Sequence, residues 1–367
     1  MTHIAILIPT LDQVAGAERQ ILTLAPALAQ RGHPVTLVAL SGTAENHRAA
    51  LAASGVSILC LHMRKAWLDP RGWLTFLRWH RQNRPHILHA HLPHAIFFAR
   101  LVRLIAPARV VLSTVHTTAL GSGIQQFLFR ATGPLSTHLT AVSHAAHIAL
   151  LRAGLASPTS SSLLPNAIPV STTDPTQAAV NGTFHWLAIG RLIPLKDYPT
   201  LLRAFAQLPS NSHLTIAGSG PELATLQQLA HELNITPRVH FLGFVPDLEL
   251  QFRTAHACVL SSLWEGLPLA PLEAAAHALP VVATNAPGTA ETLIPNRTGF
   301  LVPVANPDAL AAAMRRLMHL PQPDRLAMGN AAHAFALKQF ALPVILDRWQ
   351  SLYASLLAAN PRPSRLG

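Results

Sequence analysis

Residues 257–284, ACVLSSLWEGLPLAPLEAAAHALPVVAT, contain the pattern that decides the fold. An apolar run at 257–262 is followed by a helix-forming segment at 271–278 and by a second apolar run at 280–284. Short, uniformly apolar runs are typical of strands that are covered on both faces, and a helix is the usual connection between neighbouring parallel strands. The stretch therefore predicts a strand, a helix and a second strand of a parallel sheet.

The same alternation continues on both sides of residues 165–183, which are rich in Pro, Thr, Asn and Gly and which we interpret as a linker. Predicted strands cover 4–9, 34–40, 56–61, 86–91, 109–116, 184–190, 213–218, 239–245, 257–262 and 280–284. Predicted helices cover 17–31, 45–53, 71–83, a stretch from 94, 197–207, 221–233, 247–254, 271–278 and 343–358. Alternating strands and helices indicate parallel sheets with helices on both faces.

A chain of 367 residues is long enough for two such domains. We predict an α/β fold with two doubly wound, Rossmann-like domains that face a central cleft, where such proteins bind ligands. The predicted N-terminal domain covers 1–170 and the C-terminal domain covers 184–342. A final helix within 343–367 is a candidate for crossing back to the N-terminal domain.

Composition excludes several other classes of protein. Hydrophobic residues make up 50% of the chain and charged residues 12%, which excludes disorder over most of its length. The two cysteines, Cys60 and Cys258, cannot form a disulfide framework and favour a reducing compartment. The N-terminal apolar run is short and has no basic region before it, so we predict no signal peptide. Gly, Pro, Ser, Thr and His break the longer uncharged stretches, so we predict no transmembrane helix and expect a cytoplasmic location.

The net charge of +11 is unevenly distributed. Residues 1–170 contain 14 Arg/Lys and 4 Asp/Glu, whereas residues 171–367 contain 13 and 12. This asymmetry suggests that the N-terminal half meets an anionic partner. On the predicted helix at 71–83, Arg71 and Arg78 share one face and apolar side chains share another. Two interpretations remain open: a core-packed helix with a solvated basic face, or peripheral docking on an anionic membrane surface. We predict no nucleic acid partner.

Glu265 and Glu273 lie in a stretch whose composition is otherwise that of a buried segment. Unpaired carboxylates are costly in such a place, so both need hydroxyl or cationic partners. A nucleotide sugar in a cleft offers hydroxyl groups on its ribose and on its hexose. The alternative is a helix-start carboxylate at Glu273 and an exposed loop acid at Glu265.

Three loops after predicted strands are candidates for phosphate binding. In GRLIPLKDY, Arg191 and Lys196 are either a clamp for a diphosphate or two solvated cations. In AGAERQ, Gly16 either lets a phosphate or sugar approach a helix N-terminus or is an ordinary loop glycine. In GSGPE, residues 218–222, the glycines suit a turn before a helix, and a ligand contact is the less favoured interpretation.

Four histidines, His89, His91, His94 and His116, lie at or near strand ends in the basic half. The HxH pattern can bind metal, but no nearby Cys or carboxylate completes a zinc set. The chain also has no D-x-D pattern, so we predict no metal and no cofactor. His116 follows a strand at its carboxyl end, which is where α/β proteins bind ligands.

Taken together, these motifs resemble glycosyltransferase family 4, a family of retaining GT-B enzymes that use nucleotide sugars. The most specific match is EGLPLAPLE followed by PVVAT and TGFLVP, together with AIGRLIPLKD upstream. Further matches are AGAERQ, HILHAH, STVHTT, AVSHA, LPNAIP, IAGSGPE and VHFLGFVPD. Many members have Gly where Pro268 stands, and Pro268 and Pro271 reduce the N–H groups that this loop can offer to a phosphate.

The resemblance implies roles for individual residues. Arg191 and Lys196 would bind and stabilise the leaving diphosphate, Glu265 would contact the donor sugar near the reacting centre, and Glu273 would bind the ribose. His116 would contact the transferred sugar or the acceptor, and it completes the implied catalytic set with Glu265, Arg191 and Lys196.

The remaining implied contacts concern donor binding. Phe244 and Val245 would hold the base, Leu269 belongs to the same donor-binding set, and Gly16 would lie under the phosphate and acceptor. The implied reaction is sugar transfer, with retention, from a nucleoside diphosphate sugar to a glycan or lipid-linked acceptor, and UDP is the expected nucleotide. The implied process is the synthesis of cell-envelope polysaccharide or lipopolysaccharide. The alternatives are a nucleotide-sugar epimerase of the same architecture and a non-catalytic nucleotide-sugar binding protein.

Overall fold

The computed structural model describes residues 1–12, 15–64, 68–119, 121–169 and 182–361. The chain divides into two compact units, the first formed by Met1–Ala167 with Leu342–Gly367 and the second by Ile168–Ala341. We call them unit 1 and unit 2. Most of the predicted linker, residues 170–181, lies outside the described residues.

The strands of unit 1 are β1 (Ile4–Ile8), β2 (Val35–Ala39), β3 (Val56–Cys60), β4 (Ile87–His91), β5 (Val110–Val115), β6 (His138–Ala141) and β7 (Ser161–Leu163). Within the described residues they form one parallel sheet with the order β3-β2-β1-β4-β5-β6-β7. The helices of unit 1 are α1 (Gly16–Gln30), α2 (Glu45–Ala53), α3 (Pro70–Asn83), α4 (Pro93–Val102), α5 (Gly123–Ala131), α6 (His144–Arg152) and the last helix of the chain, α13 (Leu342–Ala359).

Strand β1 shows why the apolar runs become central strands. All five of its residues are buried, and Ile4 is paired with Val35 of β2 on one side and with Ile87 of β4 on the other. A strand with neighbours on both edges and helices on both faces has no polar surface to present, so a uniformly apolar sequence is stabilised there.

The last helix, α13, packs within unit 1 through the side chains of Ile345, Leu346, Trp349 and Tyr353. Arg109 holds its C-terminal end, because the Nε and Nη2 atoms donate to the carbonyl oxygens of Asn360 and Leu357 at 2.9 and 2.7 Å. Basic groups at this end of a helix also interact favourably with its dipole. This packing brings Tyr353 to strand β4.

The strands of unit 2 are β8 (Phe184–Ile189), β9 (Ser212–Ala217), β10 (Val239–Gly243), β11 (Ala257–Leu260), β12 (Val281–Thr284) and β13 (Gly299–Val302). In the described part of the chain they form a parallel sheet with the order β10-β9-β8-β11-β12-β13. The helices of unit 2 are α7 (Tyr198–Ala206), α8 (Leu223–Glu232), α9 (Glu249–Thr254), α10 (Leu269–Ala276), α11 (Pro307–Met318) and α12 (Gln322–Phe340).

Three helices of unit 2 begin two residues from the predicted position, and one of them is α9, which begins at Glu249 rather than at the predicted residue 247. Helix α10 begins at Leu269 with Pro268 as its N-cap, so the predicted start at residue 271 is wrong. Pro271 is accommodated because backbone N–H groups in the first turn of a helix have no partner within the helix. Helix α8 begins at Leu223, since Pro221 lies in the turn that precedes it.

In both sheets the strand order reverses beside the first strand of the unit. Strand β1 lies between β2 and β4, and β8 lies between β9 and β11. The loops that leave the carboxyl ends of such strands diverge, and the crevice that results is where doubly wound proteins bind ligands. Polar residues after β1 and β4 in unit 1, and after β8 and β11 in unit 2, are therefore the candidates for a site, and in unit 1 the next strand, β5, lies beside β4.

Candidate functional site

In unit 2, Lys196 and Glu265 meet at the carboxyl ends of β8 and β11. The Lys196 Nζ donates to Glu265 Oε1 at 2.5 Å, and the Ser262 hydroxyl donates to the same oxygen at 2.7 Å. The side chains of Lys196 and Glu265 are 16% and 11% exposed. The structure thus brings together two residues predicted for one site, and it adds Ser262, which the sequence motifs contain but did not single out.

Hydrogen bonds to backbone carbonyl groups hold the loop that carries Lys196 and the loop that carries Glu265 in place. The Leu263 N–H donates to the Leu195 carbonyl at 2.9 Å, and the Ser261 hydroxyl donates to the Lys196 carbonyl at 2.7 Å. Tyr198, which is 3% exposed, donates its hydroxyl to the Gly190 carbonyl at 3.0 Å. Burial raises the pKa of Tyr198, so the hydroxyl stays protonated and remains a donor. The position of Lys196 is therefore fixed by its own loop and by the loop that carries Glu265.

The loop after β12 also supports the loop that carries Glu265. The Glu265 N–H donates to the Pro287 carbonyl at 3.0 Å, and Thr284 Oγ1 donates to the Ser262 carbonyl at 2.6 Å. Gly288 has φ +82°, and a Cβ atom built on it would lie 2.1 Å from the carbonyl oxygen of Gly266. Only glycine accepts both this conformation and this approach without displacing the loop.

Glu273 is the fifth residue of α10 and is 8% exposed. Burial and, to a smaller extent, the charge of Glu273 raise the pKa of Cys258 on β11 to about 12. The interpretation of these carboxylates as a helix-start residue and an exposed loop acid does not hold, because Glu273 lies beyond the first turn and Glu265 is largely buried. Glu273 is buried and Glu265 is mostly covered, so neither carboxylate is freely solvated.

The N-terminus of α10 lies close in sequence to Glu265 and has an unusual composition. Pro268 is the N-cap and Pro271 is the third helical residue, so two of the four N-terminal backbone positions have no N–H group. Leu269 and Ala270 supply the other two. Any anion that binds here meets fewer helix donors than it would at an ordinary helix start.

The other residues predicted for donor binding lie at the same end of the unit 2 sheet or next to it. Arg191 is exposed in the loop that carries Lys196. Phe244 and Val245 follow β10, the outer strand beside β9, and the Phe244 side chain is 65% exposed. In the described contacts, neither Arg191 nor Phe244 is brought against Lys196 or Glu265.

The glycines of GSGPE have a packing role. A Cβ atom on Gly218 would lie 1.9 Å from the Gly190 carbonyl oxygen, and one on Gly220 would lie 2.2 Å from the Leu192 carbonyl oxygen. The Leu192 N–H also donates to the Ser219 carbonyl at 2.9 Å. These glycines let the two loops approach each other, which agrees with the structural interpretation of the motif.

In unit 1, Gly16 is the first residue of α1. A Cβ atom built on Gly16 would meet none of the described heavy atoms within 4 Å. Its conformation is also not one that requires glycine, because its φ is not positive. Within the described residues, the fold itself therefore gives no reason for a glycine at this position.

His116, at the end of β5, belongs to a buried polar network in unit 1. His91 Nδ1 and His116 Nε2 are 2.8 Å apart, and the ring of His89 lies 4.1 Å from that of His91. His89 Nδ1 bonds the Tyr353 hydroxyl at 2.8 Å, and its Nε2 bonds Thr114 Oγ1 at 2.7 Å. By contrast, His94 is exposed on α4, so the structure does not bring all four histidines together.

Burial keeps these histidines neutral. It lowers the pKa of His89 to about 3, with a smaller effect from His116, and it lowers the pKa of His116 to about 4. The pKa of His91 is held well below its ordinary value by burial and then by the two neighbouring rings. A neutral imidazole has one N–H donor and one acceptor, so the cluster offers hydrogen bonds without charge.

Two further features are absent from the described residues. Among these residues, no group of three or more His, Cys, Asp or Glu side chains is arranged to hold a metal ion. No described helix combines the length and the apolar character that crossing a bilayer requires.

The whole fold matches solved glycosyltransferase structures. HepE from Anabaena, crystallised with UDP, superposes with a TM-score of 0.82 at 18% identity over 97% of this chain and 100% of that chain. Sucrose-phosphate synthase from Thermosynechococcus elongatus has a TM-score of 0.83 at 21% identity, covering 98% of this chain and 100% of that chain. Two doubly wound units of this kind define the GT-B class, so the predicted fold class is confirmed.

Family models identify the chain more narrowly. The model described as Glycosyltransferase Family 4 matches residues 14–172, and the model described as Glycosyl transferases group 1 matches residues 173–335. The two matches adjoin and cover most of the chain. The protein belongs to glycosyltransferase family 4, as the motifs predicted.

Curated relatives are similar over about half of their length. A GDP-mannose-dependent alpha-(1-6)-phosphatidylinositol monomannoside mannosyltransferase from Mycobacterium tuberculosis is 32% identical over 182 residues, 46% of this chain and 45% of that protein. LpsE, a lipopolysaccharide core biosynthesis glycosyltransferase from Rhizobium meliloti, is 29% identical over 175 residues, 48% of this chain and 50% of that protein.

Proposed function

We propose that the protein is a retaining glycosyltransferase that moves a sugar from a nucleoside diphosphate sugar to a glycan or lipid-linked acceptor. In this proposal unit 2 holds the donor and unit 1 contributes the contacts to the acceptor. The process would be the synthesis of cell-envelope polysaccharide or lipopolysaccharide. Family membership and the similarity to a mannosyltransferase and to LpsE support this assignment.

The observation that carries the proposal is the contact between Lys196 and Glu265 at the carboxyl ends of β8 and β11. An ammonium group has three N–H donors, so Lys196 can bond Glu265 and still donate to phosphate oxygens. The Glu265 carboxylate is likewise a group that accepts hydrogen bonds of the kind that sugar hydroxyl groups donate. In a nucleoside diphosphate sugar the phosphates and the sugar hydroxyls are neighbours, which is the pairing that this contact suits.

Stabilisation of the leaving diphosphate would come from side-chain cations. Pro268 and Pro271 reduce the N–H donors at the start of α10, so the helix N-terminus contributes less than usual. Lys196 and Arg191 then supply most of the positive charge that the departing diphosphate needs, and we propose that no metal ion is required. Groups of this kind act most strongly when they are fixed in place before the reaction, as the Lys196 loop is.

The nucleotide stays a prediction, because the similar proteins differ. The mannosyltransferase relative is described as GDP-mannose-dependent, whereas HepE was crystallised with UDP. Phe244, 65% exposed after β10, offers a ring face on which either base could stack. We keep UDP as the expected nucleotide and test it directly against GDP.

The test is an incubation with UDP-glucose, UDP-galactose, UDP-N-acetylglucosamine and GDP-mannose, with and without glycan acceptors. Release of nucleoside diphosphate that depends on the acceptor is the expected result. Interconversion of the sugars without release would indicate an epimerase, and binding without turnover would indicate a non-catalytic protein. No release with any donor would contradict the transferase proposal.

A matched pair of variants tests the role of Lys196. We expect Lys196→Met to lower kcat by about 10²–10³-fold, because a fixed cation is lost from the departing diphosphate. Lys338→Met, at an exposed lysine on α12, should leave kcat unchanged. Thermal unfolding of both variants separates lost catalysis from lost folding, since Lys196→Met also removes a partner of Glu265. An unchanged kcat in Lys196→Met would show that the diphosphate is held elsewhere.

We also propose that unit 1 docks on an anionic membrane surface through helix α3. Phe76 and His80 are buried on one face of this helix, whereas Arg71, Arg78 and Leu74 are exposed. Arginines near an anionic surface contribute about 1 kcal/mol each, and an exposed leucine between them adds apolar contact. The buried face agrees with the core-packed interpretation, and the exposed face is what docking would use.

Co-sedimentation with neutral and anionic vesicles measures this docking. We expect binding to anionic vesicles that falls with added salt, and a decrease of about tenfold or more in the double variant Arg71→Glu/Arg78→Glu. Arg253→Glu, at an exposed arginine on α9 of unit 2, is the control and should bind as the unaltered protein does. Equal binding to both kinds of vesicle, with no salt dependence, would leave only the solvated basic face.

A further inference from the structure

His91 and His116 leave two buried ring nitrogens that the resemblance to the family does not explain. His91 Nδ1 lies 2.8 Å from His116 Nε2, so one nitrogen of each ring has a partner. The other two, His91 Nε2 and His116 Nδ1, are buried and have no hydrogen-bond partner among the described residues. Buried polar atoms without partners are uncommon and call for a reason.

The number of protons on the pair limits what these two nitrogens can be. Both rings are neutral because burial lowers the pKa of each, and a neutral imidazole carries a single N–H. One of the rings spends its N–H on the bond between them. It follows that one outer nitrogen carries a proton and the other does not. The pair therefore has two possible arrangements: in one the outer proton lies on His116 Nδ1, and in the other it lies on His91 Nε2.

The surroundings of the two rings favour one tautomer. His91 is 1% exposed at the end of β4, with the ring of His89 4.1 Å away, whereas His116 follows β5 and is partly exposed as a residue, although its Nδ1 atom is itself buried. A buried N–H without a partner costs more than a bare acceptor, and it costs most where no ligand or water can reach it. The proton is therefore better placed on His116 Nδ1 than on His91 Nε2.

We propose that His91 is a positioning residue that donates from Nδ1 to His116 Nε2 and thereby fixes His116 as the Nδ1–H tautomer. His116 then presents a neutral hydrogen-bond donor, which suits a hydroxyl, carbonyl or phosphate oxygen of the ligand. It does not act as a base at Nδ1. This proposal rests on the proposed function, because it gives the direction of the hydrogen bond that His116 makes with the sugar or acceptor.

The groups around the pair are neutral as well. The ring of His89 lies against His91, and Tyr353 and Trp349 of α13 lie against His89. Thr114 of β5 bonds the far nitrogen of His89, so that histidine does not compete for the proton between His91 and His116. Burial raises the pKa of Tyr353, which therefore remains a neutral hydroxyl. These neutral neighbours do not bias the proton, so the tautomer is set by the contact between the two rings together with their unequal exposure.

Two substitutions at His91 separate this role from simple packing. In His91→Asn the amide group lies close to the place of Nδ1, so a donor to His116 Nε2 is kept. In His91→Gln the amide lies nearer the place of Nε2, and the donor at Nδ1 is lost. His80→Asn is the control, because His80 is also a buried histidine of unit 1 but packs against Phe76 on α3.

The experiment is a long-range 1H–15N correlation on the full-length protein labelled with 15N-histidine, near pH 7.5. The His116 signals are assigned by their loss in His116→Gln. We expect the Nδ1–H pattern for His116 in the unaltered protein, in His91→Asn and in His80→Asn. In His91→Gln we expect the Nε2–H pattern or a mixture. This readout needs no donor and no acceptor, so it is independent of whether the proposed activity is found.

Kinetics give a second readout if transfer is observed. We expect His91→Gln to lower kcat about tenfold or more while the KM for the donor changes less than about threefold, because a fixed contact is lost and most donor contacts remain. His91→Asn should recover most of kcat. An Nε2–H tautomer in the unaltered protein overturns the proposal, as does an unchanged His116 in His91→Gln. If His91→Gln does not fold, the tautomer of the unaltered protein decides alone.

Discussion

The two units share an architecture but differ in the chemistry at the carboxyl ends of their strands. In unit 1 these positions hold His89, His91 and His116, which burial keeps neutral. In unit 2 they hold an ammonium and a carboxylate, Lys196 and Glu265, in direct contact and partly exposed. A doubly wound sheet therefore fixes where a site lies, but the residues placed there decide what the site can bind.

The net charge of each half of the chain does not follow the charge at its strand ends. Residues 1–170 carry most of the net charge of +11, yet the strand ends of unit 1 are neutral. Even Arg100, a buried cation of this unit, is met by neutral groups, because it donates to the Phe129 carbonyl at 2.9 Å and its guanidinium lies 4.1 Å from the Phe129 ring. In unit 2 the charged side chains of Lys196 and Glu265 lie at the candidate site itself. A donor diphosphate needs charge, whereas acceptor hydroxyls need only hydrogen bonds, which is the division that the proposed function requires.

Acid should destabilise unit 1 before it destabilises unit 2. The pKa of His89 is lowered to about 3 and that of His116 to about 4, whereas a histidine in an unfolded chain has a pKa of about 6.5. Below that value the unfolded chain binds protons that the folded unit does not, so stability is present above pH 6.5 and is lost as the pH falls. Each of the two histidines should lower the free energy of unfolding by about 2 kcal/mol between pH 7 and pH 5.

Hydrogen exchange followed by mass spectrometry, corrected for the intrinsic exchange rate at each pH, measures this loss for each unit separately. We expect unit 1 to open much more readily at pH 5 and unit 2 to change less. His89→Gln should remove about 2 kcal/mol of the loss in unit 1 between pH 7 and pH 5, and His319→Gln, at an exposed histidine of unit 2, should remove none. An equal loss of stability in both units would mean that the histidines are not held neutral by burial.

The comparison also shows what the sequence can and cannot predict. Strands such as β1 and β8 are predicted to within about two residues. A short, uniformly apolar run is compatible with few structures other than a strand that is covered on both faces. Strands β6, β7 and β13 are absent from the predicted set, since HLTA, SSL and GFLV are too short to form a clear pattern. The helix start at Leu269 is missed because proline in a first turn looks the same in sequence as proline before a helix.

The side-chain contacts depend on strand order, which the patterns do not contain. Lys196 and Glu265 are far apart in sequence and meet because β11 lies next to β8 in the sheet. His91 and His116 meet because β4 and β5 are neighbours, with His91 paired to Thr114. The motifs predict which residues belong to a site, but only the fold shows which of them bond each other.

One glycine in each unit tests the same comparison, with a smaller expected change in stability. Of the two, Gly288 of unit 2 should show the larger change in the free energy of unfolding. Its φ of +82° and the 2.1 Å approach to the Gly266 carbonyl oxygen mean that an alanine must displace the loop that carries Glu265. We expect Gly288→Ala to lower the free energy of unfolding by about 1–3 kcal/mol. Urea unfolding measures this change, and donor turnover should fall with it because Glu265 moves.

Gly16 of unit 1 is the matched control, because the described residues leave its surroundings open. We expect Gly16→Ala to change the free energy of unfolding by less than about 1 kcal/mol, since alanine suits the first position of a helix and the fold loses nothing. If transferase activity nevertheless falls, the space beside Gly16 is used by a ligand, as the family resemblance implies. Unchanged activity together with unchanged stability would contradict the placement of a phosphate or acceptor against Gly16, and it would confine the polar contacts of unit 1 to the histidine cluster.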